Sequence, residues 1–75
     1  MKTITIKFQT GYFEEVGKLL HSLELKILMS YSEEGFMDAN NIVCLLKLNN
    51  DNNAITPNLQ IEKLREKSFI KIVKM

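Results

Sequence analysis

One apolar run, at residues 42–48, constrains the fold of this 75-residue chain more than any other feature. Every residue of the run except Lys47 is apolar, so the run must lie at the centre of the hydrophobic core. Apolar runs of this length occur both as buried strands and as buried helical turns, and periodicity does not separate the two. The chain therefore has two interpretations, which differ mainly in how this run is folded.

Alternating apolar residues predict two strands in the first half of the chain. Residues 3–8 place Ile4, Ile6 and Phe8 on one face, which is typical of a half-buried strand. Residues 25–31 also alternate, and the alternation predicts that one face carries Leu25, Ile27, Met29 and Tyr31. A turn is expected at residues 32–35, where two glutamates precede Gly35.

Two other segments have the features of helices. Residues 12–23 carry an apolar stripe at helical spacing, formed by Phe13, Val16, Leu19, Leu20 and Leu23. We expect Thr10 to cap this helix and Gly17 to let it lie close to a sheet. A second helix, over residues 57–67, is predicted to begin at Pro57 with Thr56 as its cap. The apolar residues at 69–74 then predict a closing strand, although the tail also has the spacing of a helix through Ile61, Leu64, Ser68, Ile72 and Met75.

In the first interpretation, residues 42–48 form the third strand and the order of elements is β-α-β-β-α-β. This order predicts one α+β domain over residues 1–75, a two-layer open-faced sandwich. Its four-stranded, mainly antiparallel sheet would carry two helices on one face, in a ferredoxin-like arrangement.

In the second interpretation, residues 36–39 form a hairpin strand and residues 41–48 form a short helix. The segment Asp-Ala-Asn-Asn-Ile-Val-Cys-Leu-Leu-Lys-Leu at residues 38–48 resembles the "D-A-K-S-I-M-G-L-L-S-L" segment of the HPr-like phosphocarrier family, and Thr10-Gly11 is similar to that family's active-site turn. The resemblance implies an HPr-like order of elements. It also implies loss of phosphotransfer chemistry, because Phe13, Glu15 and Asn41 stand where the family has its phosphorylated histidine, its arginine and its regulatory serine.

Composition excludes several classes of function. The net charge of +1 gives no reason to expect a nucleic-acid partner, and residues 42–48 lack the aromatic residues on which an RNA-binding sheet stacks bases. No apolar run approaches the ~18 residues of a membrane span, and the N-terminus lacks the apolar core of a signal peptide, so we expect no membrane association. The single cysteine, Cys44, rules out an internal disulfide and favours a reducing, cytoplasmic setting.

Neither catalytic residues nor a metal or cofactor site is expected. His21 is the only imidazole and lies on the polar face of the predicted first helix. Cys44 lies in the apolar run, where a thiol packs as a small hydrophobe. Asp51, Asn53 and Glu62 have the spacing of calcium ligands, but an EF-hand loop needs glycine at its sixth position, where Thr56 stands.

The sequence therefore predicts a small non-enzymatic binding or regulatory module that acts through its sheet face or edge. Its partner would be another protein or a second copy of itself, in a homodimer, because the core of so short a chain cannot enclose all its apolar residues. The expected interface residues are Phe36, Met37, Phe69 and Met75. Two alternatives remain open: a degenerate HPr-like protein that binds phosphotransfer partners without carrying phosphate, and a small catalytic subunit whose missing groups come from a partner.

Overall fold

The computed structural model describes residues 2–34 and 40–75, which form a four-stranded antiparallel sheet and two helices. The elements in chain order are β1 (Thr3–Gln9), a 3-10 turn (Thr10–Tyr12), α1 (Phe13–Ser22), β2 (Lys26–Glu34), β3 (Asn40–Lys47), α2 (Pro57–Arg65) and β4 (Lys71–Lys74). The strand order across the sheet is β2-β3-β1-β4. The predicted α+β class and the chain order β-α-β-β-α-β are confirmed.

The apolar run is a central strand, so the alternative with a helix over residues 41–48 is wrong. On one face of the sheet, Cys44 lies opposite Ile6 and Leu46 lies opposite Ile4. Both pairs belong to the core that the helices cover. On the other face lie Val43, which is buried, and Leu45, which is half-buried. A strand that is paired on both edges and apolar on both faces explains why the run is continuous rather than alternating.

Both helices contribute to the single core on one face of the sheet. Val16 and Leu20 of α1 and Leu64 of α2 are at most 3% exposed and belong to the same cluster as the inward residues of β1. The predicted stripe of α1 is wrong at Phe13, which is the first residue of the helix and is 62% exposed. The expected close approach at Gly17 is also wrong, because a Cβ there would meet no atom within 4 Å.

The ends of α1 differ from the sequence prediction. Thr10 does not cap the helix; its hydroxyl donates a 2.8 Å hydrogen bond to the carbonyl oxygen of Asn40, and a 3-10 turn precedes the helix instead. The helix ends in a Schellman motif. The Glu24 N–H donates to the carbonyl oxygen of His21 at 3.1 Å, and the Leu25 N–H donates to that of Leu20 at 3.0 Å. This geometry puts Glu24 in the left-handed region, with a φ of 57°.

The start of α2 agrees with the sequence prediction. Pro57 is its first residue, and the Leu59 N–H donates a 3.3 Å hydrogen bond to the Thr56 hydroxyl. Gln60 is fully buried and was not foreseen as a core residue. Its side-chain nitrogen donates to the carbonyl oxygen of Leu23 at 2.8 Å, and its side-chain oxygen accepts from the Asn49 N–H at 2.9 Å. This one side chain therefore links α2 to the end of α1 and to the segment after β3.

Candidate binding surface

A β-bulge in β2 decides which side chains this strand exposes. Ile27 lies opposite Leu46 of β3, while Met29 lies opposite Leu45, so Leu28 is an extra residue in the strand. An extra residue reverses the faces of all that follow it. Met29 and Tyr31 therefore lie on the face of the sheet opposite the helices. The prediction that residues 25, 27, 29 and 31 share one face is therefore wrong for residues 29 and 31, which follow the bulge.

The reversed side chains form an apolar patch on the sheet face opposite the helices. We call Met29, Tyr31, Val43 and Leu45 the open face; within residues 2–34 and 40–75, no helix covers it. Met29 is 57% exposed and Tyr31 is 55% exposed. Val43 is only 5% exposed, because it lies between its cross-strand neighbours, Tyr31 and Lys7. On the open face, the apolar side chains of β3 are therefore buried or half-buried, and those of β2 are more than half exposed.

An ion pair crosses the sheet at one end of the open face. The ammonium of Lys7 on β1 lies 2.8 Å from a carboxylate oxygen of Glu33 on β2, so the two side chains reach each other across β3. Both side chains are partly exposed, so solvent screens the pair and its contribution to stability is small. Its main effect is to set a polar boundary beside the apolar residues.

The outer edge of β2 adjoins the open face. β2 is the last strand in the sheet order, and among the described segments only β3 pairs with it. Ile27 and Leu28 on this strand are 50% and 39% exposed. A long edge strand with exposed apolar side chains presents free backbone N–H and C=O groups to another strand. We call these backbone groups the β2 edge.

Of the four residues predicted as an interface, the two that the structure describes, Phe69 and Met75, lie away from the open face. Phe36 and Met37 lie outside the described residues. Phe69 is partly buried and stacks on Tyr12, with ring centroids 4.6 Å apart. Met75 is 63% exposed, and its sulfur accepts a 3.4 Å hydrogen bond from Arg65. Phe69 and Met75 flank the two ends of β4, at the sheet edge opposite β2.

The two reactive side chains noted in the sequence lie in different environments. His21 is exposed on the last turn of α1. Cys44 is a free thiol, and its predicted burial is confirmed at 3% exposure. Burial raises the pKa of the Cys44 thiol above its ordinary value of 9.0, which favours the unreactive protonated form. In the part of the chain that the structure describes, no group of three His, Cys, Asp or Glu side chains could hold a metal ion.

Sequence reasoning missed Met29 and Tyr31 as surface residues, although the chain carries a signal. Residues 27–29 are three consecutive apolar residues, which break strict alternation. Such a break next to an otherwise alternating run is where an extra residue can enter a strand. The position of the bulge depends on pairing with β3, which the pattern of β2 alone does not contain.

Comparisons of the chain with protein-family models, with curated proteins and with solved structures found no match. Within the described residues, neither helix has the length and apolar character needed to cross a membrane.

Proposed function

We propose that this chain is a small non-enzymatic binding module that binds protein through its open face and β2 edge, and that it acts as a homodimer in the cytoplasm. The observation that carries the proposal is the exposure of Met29 and Tyr31, more than half each, on the same face of an edge strand. Exposed apolar patches of this kind mark interaction surfaces on small proteins.

The surroundings of Met29 and Tyr31 support this proposal. Each lies directly across from an apolar residue of β3, Leu45 and Val43 respectively, so the apolar area continues over two strands. The Lys7–Glu33 ion pair adds a polar border. An apolar centre with a polar rim is the usual composition of a protein interface. The cytoplasmic setting rests on Cys44, a lone thiol that is free and buried.

Sedimentation equilibrium over a micromolar to millimolar concentration series tests the proposal. We expect the wild-type chain to approach twice the mass of one chain as concentration rises. The double variant Met29→Lys/Tyr31→Lys should remain at the mass of one chain. Both side chains are exposed, so the variant should keep its fold, which circular dichroism and a melting curve would verify.

Two matched controls separate this surface from the rest of the molecule. Phe13→Lys changes an exposed aromatic residue on α1, and Met75→Lys changes an exposed residue after β4. Both variants should associate as the wild type does. A wild-type mass of one chain at every concentration would contradict self-association. Loss of association in Met75→Lys but not in the double variant would move the interface to the β4 edge.

A further inference from the structure

We infer that a second copy of the chain pairs its β2 antiparallel with this β2, about a twofold axis at Ser30, to give a continuous eight-stranded sheet. The inference rests on the proposed function, since it specifies the partner and the register at the same surface. It makes Met29 of each copy face Tyr31 of the other, and Lys26 of each copy face Glu33 of the other.

The faces of β2 restrict which registers a twofold axis can create. Beyond the bulge, Met29, Tyr31 and Glu33 lie on the open face, whereas Ser30 and Ser32 lie on the helix face. In a continuous antiparallel sheet, residues directly opposite each other lie on the same face. The twofold axis must therefore relate one residue to its own copy and cannot pass midway between two neighbouring residues. Near the middle of β2, this residue can be Ser30, Tyr31 or Ser32.

Apolar complementarity selects Ser30 among these three. An axis at Tyr31 would place the apolar Met29 opposite the charged Glu33 of the second copy. An axis at Ser32 would place Tyr31 opposite that same glutamate. An axis at Ser30 instead places Met29 opposite Tyr31, twice by symmetry. Thioether–aromatic contacts are favourable, and the two Met29–Tyr31 contacts would extend the apolar surface of the open face, where Met29 lies opposite Leu45.

Charge complementarity selects the same register. Leu28 is the extra residue of the bulge and has no partner of its own in the pairing. Counting outward from Ser30 without Leu28, Lys26 lies directly opposite Glu33 of the second copy, on the same face of the sheet. Within one chain, Lys26 lies directly opposite Lys47 of β3, an unfavourable placement of like charges. The Glu33 carboxylate of the second copy, which already pairs with Lys7 of its own chain, would lie between two ammonium groups and offset this repulsion. Symmetry repeats the contact at the other end of the interface.

Engineered disulfides test the register. In a Cys44→Ala background, which prevents a bond to the thiol opposite residue 30, we compare Ser30→Cys with Ser32→Cys. Both serines are exposed and lie on the same face of β2. At the axis, the two Cα atoms of residue 30 would be roughly 4.5–5.5 Å apart, within the range of a disulfide. The two Cα atoms of residue 32 would lie on opposite sides of the axis, four residues apart along the strands, which is a separation of roughly 13 Å.

We expect Ser30→Cys to form a disulfide-linked dimer on mild oxidation and Ser32→Cys to do so about tenfold more slowly or not at all. Equal linking, or faster linking at residue 32, would overturn the register. Sedimentation of the Cys44→Ala chain separates the two proposals. Association without linking at residue 30 would remove only the register, whereas a single-chain mass at all concentrations would remove the proposed homodimer as well.

A charge exchange tests the same register in chains that keep Cys44. Lys26→Glu and Glu33→Lys each place like charges across both ends of the interface, so each should raise the homodimer dissociation constant by roughly three- to tenfold. Mixing the two variants restores opposite charges at both contacts, so the mixture should form heterodimers more tightly than either variant alone forms homodimers. Wild-type affinity in both separate variants, or no recovery on mixing, would overturn the inference.

Discussion

The side-chain nitrogen of Gln60 on α2 donates a 2.8 Å hydrogen bond to the backbone carbonyl oxygen of Leu23, at the end of α1. Gln60 is fully buried, and its side-chain oxygen accepts from the Asn49 N–H, so both ends of the amide are satisfied. The two helices and the segment after β3 are thereby held together by one polar group in the core.

Replacing Gln60 should destabilise the fold more than replacing an exposed glutamine. Gln60→Ala leaves the Leu23 carbonyl and the Asn49 N–H without their partner and opens a cavity, so the free energy of unfolding should fall by about 2–4 kcal/mol. Gln9→Ala, at the exposed end of β1, should change it by less than about 0.5 kcal/mol. Urea denaturation measures both values, and equal losses would contradict the role of Gln60.

The end of α1 should gain stability from a glycine. Glu24 has a φ of 57°, where its Cβ is unfavourable, so Glu24→Gly should raise the free energy of unfolding by about 1 kcal/mol. Glu24→Ala is the matched control, because it removes the carboxylate and keeps the Cβ. Thermal melts should place the glycine variant above both the alanine variant and the wild type. An equal gain in the alanine variant would assign the effect to charge.

The middle of α1 carries a glycine without a packing role. A Cβ at Gly17 would meet no atom within 4 Å, so Gly17→Ala should stabilise the chain by about 0.5–1 kcal/mol through helix propensity. Val16→Ala, one residue earlier, removes buried methyl groups and should cost about 1–3 kcal/mol. Chemical denaturation of both variants compares the two faces of the helix; destabilisation by Gly17→Ala would show a close contact there.

The thiol of Cys44 should react only when the chain unfolds. It is 3% exposed, and burial raises its pKa, so labelling at neutral pH should be slow and should accelerate with denaturant. Because the folded-state pKa lies above the unfolded value, the thiol's contribution to stability is complete below that unfolded value. The contribution is then lost as pH rises through the folded-state pKa.

The pH dependence of Cys44 can be isolated with a variant that does not titrate. Stability of the wild type should fall more steeply above pH 9.0 than that of Cys44→Ala, since the two chains differ only at this thiol. Urea denaturation at several pH values gives the two slopes. Parallel slopes, or rapid native labelling, would contradict the protected position of the thiol.

Local sequence was sufficient for most elements of this fold. The alternation at residues 3–8, the helical period after residue 12 and the Thr56-Pro57 pair each predicted an element that the structure contains. These signals are local, because they depend on side-chain direction along one strand or helix and on hydrogen bonds within one turn. The order of the predicted elements also indicated an α+β domain, and the position of the apolar run at its centre is confirmed.

Tertiary structure decided what local patterns leave open. Residues 42–47 of the apolar run form a strand because β1 and β2 pair with both of its edges, a fact that its own periodicity does not contain. Gln60 became a core residue because a carbonyl at the end of α1 and an N–H after β3 converge on it. The open face exists because one extra residue, Leu28, reverses Met29 and Tyr31 relative to the helices. Each outcome depends on groups far apart in the chain, so only the folded arrangement of all the elements specifies them.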